Sequence, residues 1–319
     1  MSVLSERPFF IVGHARSGTT LLRMILSSHP RLVIPPETGF LPFLRITPEA
    51  PLSREQVRKT IRTIGALNRE WRHLVPDFDR FYTELPQPTP LPQLLDALYR
   101  RRGDAPIRRW GDKTPGYVTY VPQIDAIFPN AQFIHVIRDG RDSTVSAWKK
   151  WGERRPYMDH YYLLAEWARD VEAGREAGQA LGAERYLEVC YEELVQQPEP
   201  TIRQIIAFLN ESFHPAVLDH TSLARKVVGA HSHREVWEPI FTTSVGRWRR
   251  EMTPFQKKLA NRVAGATLSA AGYELARTAP WSAAEQVRFA LLAGRYHLVA
   301  LIRRLLYRSG LLTLNRGKR

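Results

Sequence analysis

The chain has 319 residues, 44% of them hydrophobic and 24% charged, with a formal charge of +14 and one cysteine. That length allows one large α/β domain or two modest ones, and the composition is that of an ordinary globular protein. Cys190 alone excludes an intrachain disulfide, and with no uncharged apolar run of about 18 residues a membrane-spanning helix is excluded too. So few cysteines fit a reducing compartment, which gives the expectation of a cytoplasmic protein. Met1–Pro8 lead straight into an apolar segment with no basic stretch before a long apolar one, so no signal peptide is expected. The positive charge is uneven. From Ser282 onward eight basic residues stand against Glu285 alone, about half the excess, and the rest suits a body that binds an anionic ligand.

The elements are read in chain order. Phe9-Phe10-Ile11-Val12 predicts a buried strand over 9–13, followed by a helix near 19–28. Helices are expected near 53–69, 91–102 and 117–128, and Ile107 to Gly111 adds a short strand. The segment about 40–105 reads as a helical cap, and Leu85–Pro92, with four prolines, as an exposed connector inside it. Phe133–Ile137 predicts a strand leading to a helix near 142–151. Further helices are expected near 157–177, 198–209 and 254–271, with a strand over 185–189. Strands interleaved with helices imply a P-loop-like, three-layer α/β fold: a central parallel sheet with helices on both faces and a helical cap. No internal repeat is visible.

Between the first strand and its helix runs Gly13-His14-Ala15-Arg16-Ser17-Gly18-Thr19-Thr20. Strand, glycine loop and helix together turn backbone N–H groups and a helix N-terminus toward a phosphate. An ATP-binding P-loop carries Lys where this chain has Thr19, and that Lys reaches the β- and γ-phosphates. Its absence argues for a ligand with less charge along its 5′ end, with Arg16 supplying a cation from another direction.

Arg138-Asp139-Gly140-Arg141-Asp142 follows the strand over 133–137, at the edge where open α/β sheets bind ligands. Ser146 and Lys150 lie one turn apart on the next helix. With Arg138 they offer a second phosphate site; the alternative is an exposed salt-bridge cluster. Glu37, just past the first helix, is a candidate general base or a solvated surface residue. Lys113, in Trp110-Gly111-Asp112-Lys113-Thr114-Pro115, can neutralise a leaving oxygen or be an exposed turn lysine. Ser232 and Arg247 are basic-loop residues able to fold over an anion. His231 and His233 lack a third partner at ligand spacing, so no metal is expected.

These residues carry a resemblance. The chain resembles sulfotransferases that use 3′-phosphoadenosine 5′-phosphosulfate (PAPS), and most of all the protein-tyrosine sulfotransferase branch. The resemblance makes Arg16, Ser17, Gly18, Thr19 and Thr20 the 5′-phosphosulfate loop. It makes Arg138 and Ser146 the 3′-phosphate motif, with Lys150 a further basic contact. It implies Glu37 as catalytic base and Lys113 and Ser232 as transition-state stabilisers, together with Arg16. Tyr191 and Arg247 become nucleotide contacts. The match is scattered over residues 9–255, and its joint order and spacing carry it. His14-Ala15 departs from the family, which commonly shows a proline before the loop arginine. The implied enzyme moves a sulfuryl group from PAPS to an acceptor hydroxyl of a protein tyrosine, small molecule, sugar or lipid, leaving adenosine 3′,5′-bisphosphate.

The sulfotransferase domain is then expected over 1–280, with a basic amphipathic helix and tail over 281–319. Val287, Leu291, Leu298, Ile302 and Leu305 recur at helical spacing, flanked by Arg288, Arg295, Arg303 and Arg304. This helix is read either as peripheral at a membrane surface or as packed on its own domain or on a second copy in a homodimer. Two other functions stay open. One is a P-loop kinase-type phosphotransferase. The other is a non-enzymatic basic module for membrane or nucleic acid, which leaves Glu37 and Lys113 unexplained. No nucleic-acid partner is expected.

Overall fold

A computed structural model describes residues 7–44, 50–67, 71–101, 109–221, 223 and 238–308. Five strands form one all-parallel sheet: β1 (Phe9–Gly13), β2 (Leu32–Val33), β3 (Arg109–Lys113), β4 (Gln132–Ile137) and β5 (Tyr186–Cys190), in spatial order β2-β3-β1-β4-β5. β1 lies between β3 and β4, with Phe9 opposite Gly111 on one side and Gln132 on the other. The ends of these three strands therefore open at one edge. This is where the chain reverses its direction of growth across the sheet, the position that gathers loops around a ligand.

Every residue of β1, β3 and β4 is buried. In β1 the two-residue period splits the side chains between two cores. Phe10 and Val12 face a cluster that includes the cap, while Phe9 and Ile11 face α1 (Thr19–Ser27) through Leu22, Ile25 and Leu26. The cap comprises α2 (Arg54–Leu67), α3 (Phe78–Glu84) and α4 (Leu91–Arg100). Two of the contacts that fasten α4 to β3 involve Trp110. The Tyr99 ring stacks on Trp110 at 4.0 Å and 8°, and Trp110 Nε1 donates to Asp96 Oδ1 at 2.8 Å.

Toward the C-terminus come α5 (Val121–Ile127), α6 (Gly140–Ala147), α7 (His160–Leu181), α8 (Tyr191–Gln196), α9 (Pro198–Phe208), α10 (Trp248–Glu251), α11 (Pro254–Ala270) and α12 (Ala283–Arg308). α7 and α11 build a third core from Leu164, Trp167 and Val171 against Leu259, Ala264 and Leu268. Among the described residues no helix is long and apolar enough to cross a membrane.

Some elements depart from expectation. β2, α3 and α8 are additions: β2 is too short to show a period, and α3 is a polar single-stretch helix started by Asp77, whose side chain accepts from Arg80 N. The helix expected near 117–128 begins as a 3₁₀ turn over Pro115–Tyr120, and α5 starts only at Val121, where Pro122 occupies the first turn. The helix expected through 151 gives way at Trp148 to a π-turn over Trp148–Gly152. The proline-rich connector is only partly exposed. Leu85, Thr89 and Leu91 are buried, because Thr89 pairs with Leu52 in an isolated antiparallel bridge. Residues 107 and 108 of the strand expected at Ile107 lie outside the described residues.

Leu94 is fully buried in the cap-side core. Leu94→Ala is expected to cost about 2–5 kcal/mol, read as a lower urea midpoint at unchanged slope.

Candidate active site

The loop after β1 closes because two of its positions lack a Cβ. At Gly13 (φ 150°) an added Cβ would meet the Val136 carbonyl oxygen at 2.5 Å. At Gly18 (φ 91°) it would meet Cδ2 of the Tyr191 ring at 2.3 Å. Arg16 is left-handed at φ 70°, at a cost of about 1–2 kcal/mol for a residue with a side chain. Ser17 N donates to the His14 carbonyl at 3.3 Å, and α1 begins at Thr19. Its first N–H groups and dipole thus face the loop's concavity. Ser17 is fully buried, and its Oγ has no hydrogen-bond partner among the described residues.

Arg138, the residue after β4, is the fastener. It is buried, with Nη1 donating to the Arg16 carbonyl at 3.2 Å and Nη2 to the Ser244 carbonyl at 2.7 Å. Its guanidinium lies 4.4 Å from the centre of the Tyr191 ring, whose hydroxyl meets Ser244 Oγ at 2.8 Å. Nε of Arg138 finds no partner among the described residues. Arg16 Nε donates to Ser146 Oγ at 3.0 Å, so the loop after β1 is in direct contact with α6. Two buried polar atoms left unsatisfied beside a helix N-terminus and two guanidinium groups fit an oxyanion.

The exposed salt-bridge cluster considered for residues 138–142 is overturned. Arg138, Asp139, Arg141 and Asp142 are all buried, because they form the joint between β4, α6 and the loop before α10. The Asp139 carboxylate accepts from Arg141, and the Arg141 guanidinium covers Trp248 at 3.7 Å. Asp142 accepts from Gly246 N at 2.7 Å and Trp248 N at 2.8 Å. Burial pushes its carboxyl up to about 6, against these two N–H groups. Asp142 thereby fixes the backbone on either side of Arg247, whose Nε reaches Glu251 at 3.2 Å. Trp248 is buried, consistent with a packing role.

The alternative reading of Lys113 as an exposed turn lysine is likewise overturned: it ends β3 and only 3% of its side chain is exposed. Its Nζ donates to Thr20 Oγ1 at 3.2 Å and to Glu37 Oε1 at 2.5 Å. Burial pushes the ammonium below its ordinary range, and the Glu37 carboxylate opposes that shift. Glu37 is itself half exposed, with 51% of its side chain open. Its backbone is set by the next residue. Thr38 Oγ1 donates to Asp112 Oδ2 at 2.6 Å, and Thr38 N donates to Thr114 Oγ1 at 3.2 Å. Tyr99 and Tyr117 complete this buried knot, Tyr99 by donating to Asp112 and Tyr117 by meeting Thr38 at 3.0 Å. A first-helix contact closes it from the other side, with Arg23 Nε donating to the Ile34 carbonyl at 3.0 Å.

Arg16, Ser17, Gly18, Thr19, Thr20, Glu37, Lys113, Arg138, Ser146 and Tyr191 are thus linked around one edge of the sheet. Arg247 sits on the loop tied to Asp142. Lys150 is exposed on the π-turn beyond α6. Ser232, His231 and His233 lie outside the described residues. Among the described residues no His, Cys, Asp and Glu group could hold a metal. The sequence reading passed over four residues. Asp112, in β3, and Asp142, in α6, stood inside motifs already singled out. Ser244 stood in none. Asp170, in mid-helix, pairs with His14 (Nδ1–Oδ2 2.8 Å), the residue that departs from the family pattern.

The sequence profile of the sulfotransferase family matches residues 8–215. An uncharacterised protein of Aquifex aeolicus is 31% identical over 251 residues, covering 77% of this chain and 31% of that one. A protein-tyrosine sulfotransferase of Drosophila melanogaster is 25% identical over 247 residues, covering 75% of this chain and 46% of that one. The chain therefore spans less than half the length of these relatives. A sulfotransferase domain from the Synechococcus PCC 7002 olefin synthase superposes with a TM-score of 0.60 at 24% identity, covering 85% of this chain and 96% of that one. It shares the fold.

Burial pushes the Asp170 carboxyl up, but the His14 ring and the Arg169 guanidinium outweigh it and hold it below its ordinary 3.8. A lowered carboxyl pKa contributes stability that is present above the unfolded value and lost as pH falls through the folded one. The wild-type melting temperature should therefore fall as pH drops below about 4. Asp170→Asn is expected to lower it at pH 7 and to flatten that acid decline, measured by thermal denaturation across pH.

Proposed function

Because the chain belongs to the sulfotransferase family, we propose that it moves a sulfuryl group from PAPS to an acceptor hydroxyl. The observation that carries this reading is the Lys113 ammonium, held between Thr20 at the mouth of the anion loop and the Glu37 carboxylate. One buried cation bridges the place where a leaving oxygen would gather charge and the group able to take the acceptor's proton.

In this reading N–H groups from Ser17 to Thr20 and the α1 dipole hold the 5′-phosphate. Arg138, Ser146 and Lys150 hold the 3′-phosphate, with Tyr191 and Arg247 as further nucleotide contacts. The acceptor oxygen forms its bond to sulfur as the bond from sulfur to the bridging phosphate oxygen breaks. Lys113 and Arg16, with Ser232, stabilise the charge growing on that oxygen. Lys113 turning toward it releases Glu37, which takes the acceptor's proton. The products are the sulfated acceptor and adenosine 3′,5′-bisphosphate. No triphosphate has to be bridged, so the scheme calls for no metal. The missing P-loop lysine and the family membership both favour sulfuryl over phosphoryl transfer.

The acceptor is a hydroxyl compound: protein tyrosine, as the Drosophila relative's name suggests, or a small-molecule, sugar or lipid alcohol. A labelled-sulfate transfer assay over peptide, phenol, sugar and lipid pools identifies it.

Glu37→Gln is expected to cut turnover by roughly 10²–10⁴-fold while leaving the affinity for adenosine 3′,5′-bisphosphate within about twofold. Unchanged turnover would remove Glu37 from the role. Arg138→Ala should instead weaken binding of that nucleotide, read by calorimetry. The wild type should bind it far more tightly than ADP, since the second phosphate site has no counterpart on ADP.

A further inference from the structure

α12 is apolar on two opposite faces. One face is used: Phe289 and Leu292 pack with the α7–α11 core, and Tyr296 and Val299 pack with Leu163 and Tyr162. Arg295 pairs with Asp159, Arg303 with Tyr162 and Glu166, and Lys258 with Glu285. The opposite face carries Val287, Leu291, Leu298, Leu301, Ile302 and Leu305, exposed by 45–70%. All but Leu301 are positions that the sequence pattern marked as the apolar stripe, and they point away from the domain. At 100° per residue they fall within about a third of the helix circumference. Six large apolar side chains in one row exceed the scattered exposure normal for a globular surface.

We infer that this face of α12 lies on an anionic lipid surface. Charge decides between lipid and a second copy of the chain. Arg288 and Arg295 border the stripe on the side where the domain holds them, Arg288 over the Phe255 ring at 4.3 Å and Arg295 paired with Asp159, and His297 and Arg304 border it on the other. Glu285, the only acid of α12, is on the packed side with Lys258. A two-fold pairing of these stripes would bring the two Arg304 edges together with no acid of α12 to meet them. Phospholipid headgroups supply the missing negative charge, and acyl chains take up the leucines. The helix would lie in the interface rather than cross it.

The geometry also gives the docked molecule an orientation. α12 packs against Asp159–Glu166, the first turns of α7. The next turn carries Trp167, whose Nε1 donates to the Arg138 carbonyl, and then Asp170, which holds His14. The lipid-facing helix therefore adjoins the end of the sheet that carries the anion loops. The inference does not depend on which reaction occurs there.

The test is cosedimentation of the full chain with phosphatidylcholine vesicles and with mixed phosphatidylcholine–phosphatidylglycerol vesicles. The triple variant Leu291→Ser, Leu298→Ser, Leu305→Ser runs alongside. Partitioning to the mixed vesicles should exceed that to neutral ones by about tenfold or more, because each arginine near an anionic surface is worth roughly fivefold. It should weaken with salt and be lost in the triple variant, whose unchanged melting temperature would show an intact fold. Equal recovery in the supernatant with and without anionic vesicles overturns the inference. So does vesicle binding that the variant retains. Light scattering that shows a dimer split by the variant, without vesicle binding, assigns the face to a second copy instead and overturns it equally.

Discussion

The loops around the end of β4 are held together by a buried cation with no acid hydrogen-bonded to it among the described residues. Arg138 is 5% exposed, and its hydrogen-bond partners among the described residues are the carbonyls of Arg16 and Ser244. Burying a guanidinium whose hydrogen bonds go to carbonyls is costly, and the nearby Asp142 carboxylate offsets part of that cost. The cost is met by what it joins: the loop after β1, the end of β4, the start of α8 through Tyr191, and the segment ahead of α10. Removing any one of those walls would expose or strand the charge. The positive potential left over is aimed at the concavity where Ser17 Oγ and the first N–H groups of α1 converge. An anion there would meet Arg138 Nε and Ser17 Oγ, both without a partner among the described residues.

The reactive edge is ordered by a second set of contacts, independent of the first. Asp112 is fully buried, with Thr38 and Tyr99 bonded to it, and burial pushes its carboxyl up. Tyr99 belongs to the cap and Asp112 to β3. The cap is therefore wired to the strand that presents Lys113 and to the segment that presents Glu37. The packing of the cap and the positions of Glu37 and Lys113 are thus coupled through Asp112.

Much of this was legible in the residues. The glycine loop, the strands flanking it and the motif after β4 each carry a local signal: an apolar run, a glycine at a forced conformation, a cation at a strand end. Burial was not legible. Lys113 and Arg141 look like surface residues, because nothing local says that Glu37 or Trp248 will cover them. Asp170 was invisible for the same reason. Its partner, His14, is 156 positions away, and only the packing of α7 beneath the loop brings them to 2.8 Å. Short elements such as β2 and α8 were missed because two to six residues cannot display a period. For α12 the sequence pattern marked the stripe that stays exposed and passed over the face of Phe289, Leu292, Tyr296 and Val299 that the domain claims.

The contact of Gly18 with the face of Tyr191 has a wider meaning. A ring seated where a methyl group would collide leaves the backbone there a single shape before any ligand arrives. An anion entering the loop would then meet a finished mould, with little ordering entropy set against its affinity. Selection at this spot acts through a missing atom, so even the smallest side chain would disturb recognition without removing a single hydrogen-bonding group.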